Sequence, residues 1–275
     1  MLQVHQLIFY PVKSLAGISA DEVELTDRGF KHDRRFMLVD EQHVFLSQRD
    51  VPAMALFRTL IQGEKLQIWQ RSEPEDRLEI SLDQDPSTGR VVARVWDDFV
   101  NSQYVSEEAD HWFSSKLDLP CRMVYMPDNS QRNVDSMYAL NKEITSYSDG
   151  FPYLLIGESS LQDLNRRMES PLPMNRFRPN IVMSGGNPYE EDAIAQFSIH
   201  DLNFFIVKPC ARCVTTTTDQ ETGHTGKEPL KTLAGYRMWQ NKVYFGQNVL
   251  CDGEGKIRVG DEIRVIAVRS PMPPL

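Results

Sequence analysis

The part of this sequence with the most chemistry in it is Pro209-Cys210-Ala211-Arg212-Cys213, followed at once by Val214 and four threonines. A C-x-x-C spacing has several readings. It can supply half of a zinc site, but Cys121 and Cys251 stand alone and no histidine sits at ligand spacing from another. It can act as a thioredoxin-like dithiol, yet that motif normally opens a helix whose dipole acidifies the thiol. Here β-branched residues follow and favour a strand. It can be two buried structural cysteines. A fourth reading is one functional thiolate at a strand end, with Arg212 near enough to favour its ionised form. A soft thiolate of that kind suits a soft transition metal. The spacing alone leaves all four open.

Three basic segments offer anion chemistry elsewhere. Tyr10-Pro11-Val12-Lys13-Ser14-Leu15-Ala16-Gly17 places an ammonium and a hydroxyl in a loop directly after a strand pattern. Such a loop can bind an anion with one point charge, one O–H and backbone N–H groups. Asp33-Arg34-Arg35 opens the apolar run Phe36–Val39. Arg176-Phe177-Arg178-Pro179-Asn180 opens Ile181-Val182, and Pro179 is expected to hold Arg178 extended. A guanidinium fork there can grip a phosphate or a ring edge, and Asn180 offers both a donor and an acceptor. Any of these cations could instead be a solvated edge charge.

The basic loops stand out because the chain as a whole is acidic. Of 275 residues, 30 are Lys or Arg and 39 Asp or Glu, a net charge of −9. That balance argues against a nucleic-acid binder. No apolar run approaches the ~18 residues of a membrane span, and the N-terminus lacks a basic start and cleavage site. Four cysteines in so long a chain point to a reducing cytosol.

The elements that must position these residues read as short strands. Leu66 and Ile68 alternate, then Leu78, Ile80 and Leu82 resume after a polar turn, which is a hairpin pattern. Phe197–Ile199 and Leu202–Ile206 form another across His200-Asp201. Ile257-Val259 and Ile263–Ala267 suggest a third across Gly260-Asp261. Two segments carry a helical stripe. Glu107–Leu117 has apolar positions 109, 112, 113 and 117 and Ser106 as N-cap; Ser159–Met168 is stopped by Pro171 and Pro173. Residues 126–133 read as a loop between two halves.

Together, YPVKSLAG, RFRPNIV and PCARCVTTTTDQETG, followed by KEPLKTL and FGQN, resemble the MOSC family of molybdenum-cofactor proteins. The resemblance runs over nearly the whole chain and is closest to amidoxime-reducing members with an N-terminal β-barrel module. It implies a mainly β fold: an N-terminal β-barrel-like module over residues 1–122, a cofactor-binding MOSC β-barrel over 123–270, and a few short helices. It also implies a reductase of N-hydroxylated compounds, working by oxygen-atom transfer at molybdenum. By the same resemblance Cys213 ligates the metal and carries catalysis, and Cys210 does not. Lys13, Ser14 and Arg35 bind the phosphate end of the cofactor, while Asp149, Arg178, Asn180 and Arg212 line the pterin. Ala211 departs from a Ser found in some relatives, so that one side-chain hydrogen bond to the cofactor is lost or taken by backbone, and Gly150 likewise replaces a hydroxyl residue. Four dispersed cysteines offer no iron–sulfur ligand set. Electrons are therefore expected from a separate ferredoxin, flavoprotein or cytochrome. The rival expectations are a non-catalytic cofactor carrier or sulfur-transfer module, and a thiol redox protein.

Overall fold

The computed structural model describes residues 1–85 and 87–273. From the N-terminus the strands are β1 (Leu2–Phe9), β2 (Ile18–Ala20), β3 (Glu22–Thr26), β4 (Gly29–Phe30), β5 (Phe36–Val39) and β6 (Phe57–Gln62). Next come β7 (Lys65–Gln70), β8 (Arg77–Ser81), β9 (Arg90–Val95) and β10 (Asp98–Tyr104), then α1 (Glu107–Leu117) and β11 (Arg122–Tyr125). The rest of the chain forms β12 (Tyr153–Gly157), α2 (Glu158–Arg166), β13 (Ile181–Ser184), β14 (Ile194–Ile199) and β15 (Leu202–Ala211). It ends with α3 (Leu230–Ala234), β16 (Met238–Trp239), β17 (Lys242–Asp252), β18 (Gly255–Arg258) and β19 (Glu262–Val268). The protein is mainly β, as expected. Among the described residues, no helix is long and apolar enough to cross a membrane.

The largest sheet runs β12-β13-β1-β19-β14-β15-β17, and pairing of β12 with β17 closes those strands into a barrel. Closure leaves no free edge among them. Its interior is filled by residues such as Leu7, Leu155, Phe197, Phe204 and Val249, all fully buried. Phe197 and Phe204 face each other across β14 and β15, rings parallel at 4.9 Å, so the hairpin read from their alternation forms. A second core lies between β5, β11, the β6-β7-β8 sheet and α1, with Phe36, Phe57, Leu66, Ile80 and Phe113 at its centre. The β7–β8 hairpin pairs Leu66 with Ile80 and Ile68 with Leu78, which puts all four inside. Ser106 caps α1 by accepting from the Ala109 amide at 3.1 Å, as its sequence suggests.

One expectation is corrected here. Ile257–Ala267 is not a hairpin: β18 pairs with β3, whereas β19 pairs with β14 and β1. Gly260 does turn the chain, at φ +91°. Yet the corner bonds Val4 of β1 through the Gly260 amide and the Asp261 carbonyl, so its flanks part. Alternation reveals which face is buried but not which strand is the neighbour. The expected division at residues 122/123 is also crossed by the hydrogen bonding. β1 lies inside the C-terminal barrel between β13 and β19, and β11, beyond residue 122 for most of its length, pairs with β5 and β10.

Candidate functional site

Strand β1 delivers the loop of Lys13 and Ser14 against the barrel, beside the loop before β13 and the end of β15. A cavity of about 270 Å³ opens where they meet. Lys13, Ser14, Asp149, Arg178, Asn180, Arg212 and Cys213 all line it, although they come from four separate stretches of chain. Arg35 does not. Its guanidinium pairs with Asp128 at 2.7 Å and donates to the Met126 carbonyl and the Tyr125 hydroxyl, away from the cavity. The neighbouring Arg34 takes that place instead. Arg34 sits in a turn at φ +48° and Arg35 in the link to β5, and the sequence of two successive arginines does not say which one turns inward.

Lys13 is buried, and its Nζ donates to Asp149 Oδ1 at 2.7 Å and the Tyr147 carbonyl at 2.8 Å. Burial pulls its pKa down to about 8 against the opposing charge of Asp149. For Asp149 burial works the other way, but the Lys13 charge and hydrogen bond prevail and hold its carboxyl below the usual range. The Asp149 side chain is 75% exposed, so solvent screens much of that attraction.

Deeper in, Tyr10 is a platform. The Arg34 and Arg178 guanidiniums each lie 4.3 Å from its ring centre. Its hydroxyl donates to the Pro179 carbonyl, and burial pushes its pKa up to about 12. Arg34 is fixed by Asp33 at 2.7 Å and by Asn180 Oδ1 at 3.1 Å. Asn180 also accepts from the Leu154 amide and donates to the Ile8 carbonyl. Its amide is thus spent on holding the walls and orienting Arg34. Arg178 has no hydrogen-bond acceptor for its guanidinium among the described residues, and burial pulls its pKa down to about 10. Its φ is +55°, not the extended conformation expected before Pro179. The proline excludes the right-handed helical region, and here the chain takes the left-handed side rather than the extended one.

The cysteines divide. Arg212 donates to Cys210 Sγ at 3.0 Å and to the Phe177 carbonyl at 2.6 Å, and its Nε is buried without a partner. Burial raises the Cys210 pKa, with Arg212 working against it. Cys213 is exposed at the cavity wall, its thiol 3.4 Å from Thr215 Oγ1. The threonine run is not a strand but a 3-10 turn, Val214–Thr217. Thr216 and Thr217 donate their hydroxyls to the carbonyls of Cys213 and Val214, offering the backbone an alternative to a ladder. Arg176 then ties down the turn through the Thr216 and Thr217 carbonyls and Asp219.

Sequence reasoning also missed Arg49 and Lys208. Both line the cavity, stacked on aromatic rings: Arg49 on Trp96 at 4.2 Å and Lys208 on Tyr138 at 4.4 Å. No motif surrounds either. The lining thus holds seven cations, with Arg34 and Arg176 included, against the single carboxylate of Asp149. Among the described residues no three His, Cys, Asp or Glu side chains gather to hold a metal ion.

A β-barrel with a strongly cationic cavity and one exposed thiol on its wall defines a protein that holds an anionic, sulfur-compatible ligand. The MOSC domain matches residues 142–264 and the MOSC N-terminal beta barrel domain residues 1–120. The chain belongs to the MOSC family, in the branch that carries both domains. It is 33% identical to mitochondrial amidoxime-reducing component 1 of Mus musculus and 32% identical to that of Homo sapiens, covering 96% of this chain and 82% of each relative. It is 32% identical to the molybdenum cofactor sulfurase of Solanum lycopersicum over 92% of this chain, which spans only 34% of that relative. The family is tied to the molybdenum cofactor. The residues present fit that group: an unpaired Arg178 guanidinium and an orphaned Arg212 Nε suit its anionic and ring-edge acceptors, and Cys213 is a soft donor.

Proposed function

We propose that this chain is a molybdenum-cofactor-dependent reductase of N-hydroxylated compounds, supplied with electrons by a separate protein. One observation carries the reading: the exposed Cys213 thiol shares a single cavity with unpartnered cations in a chain of net charge −9. The names of the amidoxime-reducing relatives supply the substrate class. Four free cysteines accord with the cytosol as its compartment.

In this reading Lys13, Ser14, Arg178 and Arg212 hold the cofactor's phosphate and pterin, and Cys213 is the protein's ligand to the metal. Asp149 keeps Lys13 charged and aimed at the cavity. Asn180 acts through Arg34, which it positions. When bound, the cofactor supplies the metal at which an N–O bond is reduced. The chain contributes position and charge: low-dielectric walls such as Phe177, 1% exposed, strengthen each cation's hold on an anion. Arg176 fixes the turn that follows Cys213, so the thiol is held in place rather than left on a free loop.

The sulfurase relatives support a second reading, a cofactor carrier without catalysis of its own, although the chain spans about a third of their length. Molybdenum content and turnover of an N-hydroxy compound by the purified protein with reduced viologen separate the two. Stoichiometric metal with turnover supports the reductase. Metal without turnover supports the carrier, and no metal at all overturns both.

A further inference from the structure

Lys208 is aimed by a defect in its strand. Along β15 the register with β17 shifts between Ile206 and Lys208, where two steps on β15 match one step on β17. The bulge sets Lys208 opposite Asn248, and both line the cavity. Bulges commonly re-aim a side chain beside a functional site. Its Nζ lies 4.4 Å from the Tyr138 ring centre and 5.8 Å from that of Phe151, and the two rings meet edge to face. Phe151 is itself in the lining. No carboxylate or hydrogen-bond acceptor pairs with this ammonium among the described residues.

The other cations form a separate group. Arg34 and Arg178 stack on Tyr10, Lys13 pairs with Asp149 and Arg212 bonds Cys210, whereas Lys208 shares none of these partners. That cluster meets the needs of an anionic cofactor. Lys208 sits apart from it, clasped by two aromatic rings whose faces and edges can pack a planar molecule. An ammonium with its N–H donors unmet, in a partly desolvated cavity, favours an anionic acceptor.

We propose that Lys208, Tyr138 and Phe151 form a substrate subsite selecting N-hydroxylated compounds that carry an anionic group on a planar ring. This deepens the reductase reading and rests on it. The probes are 4-carboxybenzamidoxime and neutral benzamidoxime, titrated calorimetrically into oxidised, molybdenum-loaded protein without reductant. The wild type binds the carboxylate compound about tenfold or more tightly than the neutral one. Lys208→Met abolishes that preference, and Lys208→Arg restores most of it. Equal affinities in the wild type overturn the proposal without any variant. So does a Lys208→Met protein that keeps the preference, or one that loses its molybdenum, which would assign Lys208 to the cofactor. Turnover with reduced viologen is read separately: a binding preference without reduction of either compound sinks the reductase reading and, with it, the role of the site as a substrate subsite, leaving only a binding site for planar anions.

Discussion

Arg212 donates a hydrogen bond to the sulfur of Cys210, not to that of Cys213, although it lies between them in sequence and adjoins Cys213. The nearest charge thus serves the partly buried thiol, and the thiol on the cavity wall remains free to bind a metal. An arginine beside Cys213 in sequence had pointed to the opposite pairing.

That division makes the two cysteines unequal in function. Cys213→Ser should abolish turnover of N-hydroxy compounds, whereas Cys210→Ser should keep most of the bound molybdenum. Elemental analysis of both variants, with viologen-driven turnover, checks this. Equal losses would favour a dithiol over a single metal-binding thiolate.

The clamp is tested by contrast. Charge-assisted hydrogen bonds contribute about 1.5–3 kcal/mol each, and about 1.4 kcal/mol is a tenfold change in affinity. Lys13→Ala and Arg178→Ala should each lower cofactor occupancy about tenfold or more. Arg35→Ala should leave occupancy within about twofold, because its guanidinium serves Asp128, Met126 and Tyr125. The resemblance had put Arg35 among the phosphate ligands. A loss in Arg35→Ala as large as in Lys13→Ala would reinstate it.

Binding and stability should respond to alkaline pH in opposite directions. Burial lowers the Lys13 pKa from 10.5 to about 8, so its charge is present below pH 8 and fades as the pH rises through it. Retention of an anionic cofactor should therefore weaken above about pH 8. Between about 8 and 10.5 the unfolded chain binds more protons at this residue than the folded one, so its contribution to stability rises with pH. Lys13→Arg stays charged throughout and should flatten the fall in retention. Cofactor release and thermal melting from pH 7 to 10, in both proteins, measure the two slopes. Parallel release curves would show that Lys13 is not the titrating group.

Legibility from sequence followed the range of the forces involved. The α1 cap and the β7–β8 and β14–β15 hairpins were readable because side-chain period and turn residues act over a few positions. Ring closure of the barrel was not, since the β12–β17 pairing and the placement of β1 depend on partners far away in sequence. In the site, Lys13, Arg178 and Cys213 were marked by their motifs. Arg49 and Lys208 were not, because each is defined by an aromatic ring or a bulge that no local pattern encodes. The threonine run misled because β propensity ignores hydroxyls that can bond the preceding carbonyls.

Electron supply gives the last prediction. The four cysteines are dispersed: Cys121 is buried, Cys251 is half-buried, and only Cys210 and Cys213 reach the cavity. Among the described residues no cluster of thiols gathers to store electrons, so the reductase reading has two electrons per turnover arriving from outside them. An acidic donor would be drawn to the cavity's seven lining cations against the repulsion of the chain's net charge of −9. Attraction of that kind is screened by salt over about 8–10 Å, so turnover with a protein donor should fall as ionic strength rises. Turnover with a small viologen should fall much less. With NADH alone, the purified chain should show no reduction of N-hydroxy substrates. Sustained NADH-driven turnover by the isolated chain would overturn this.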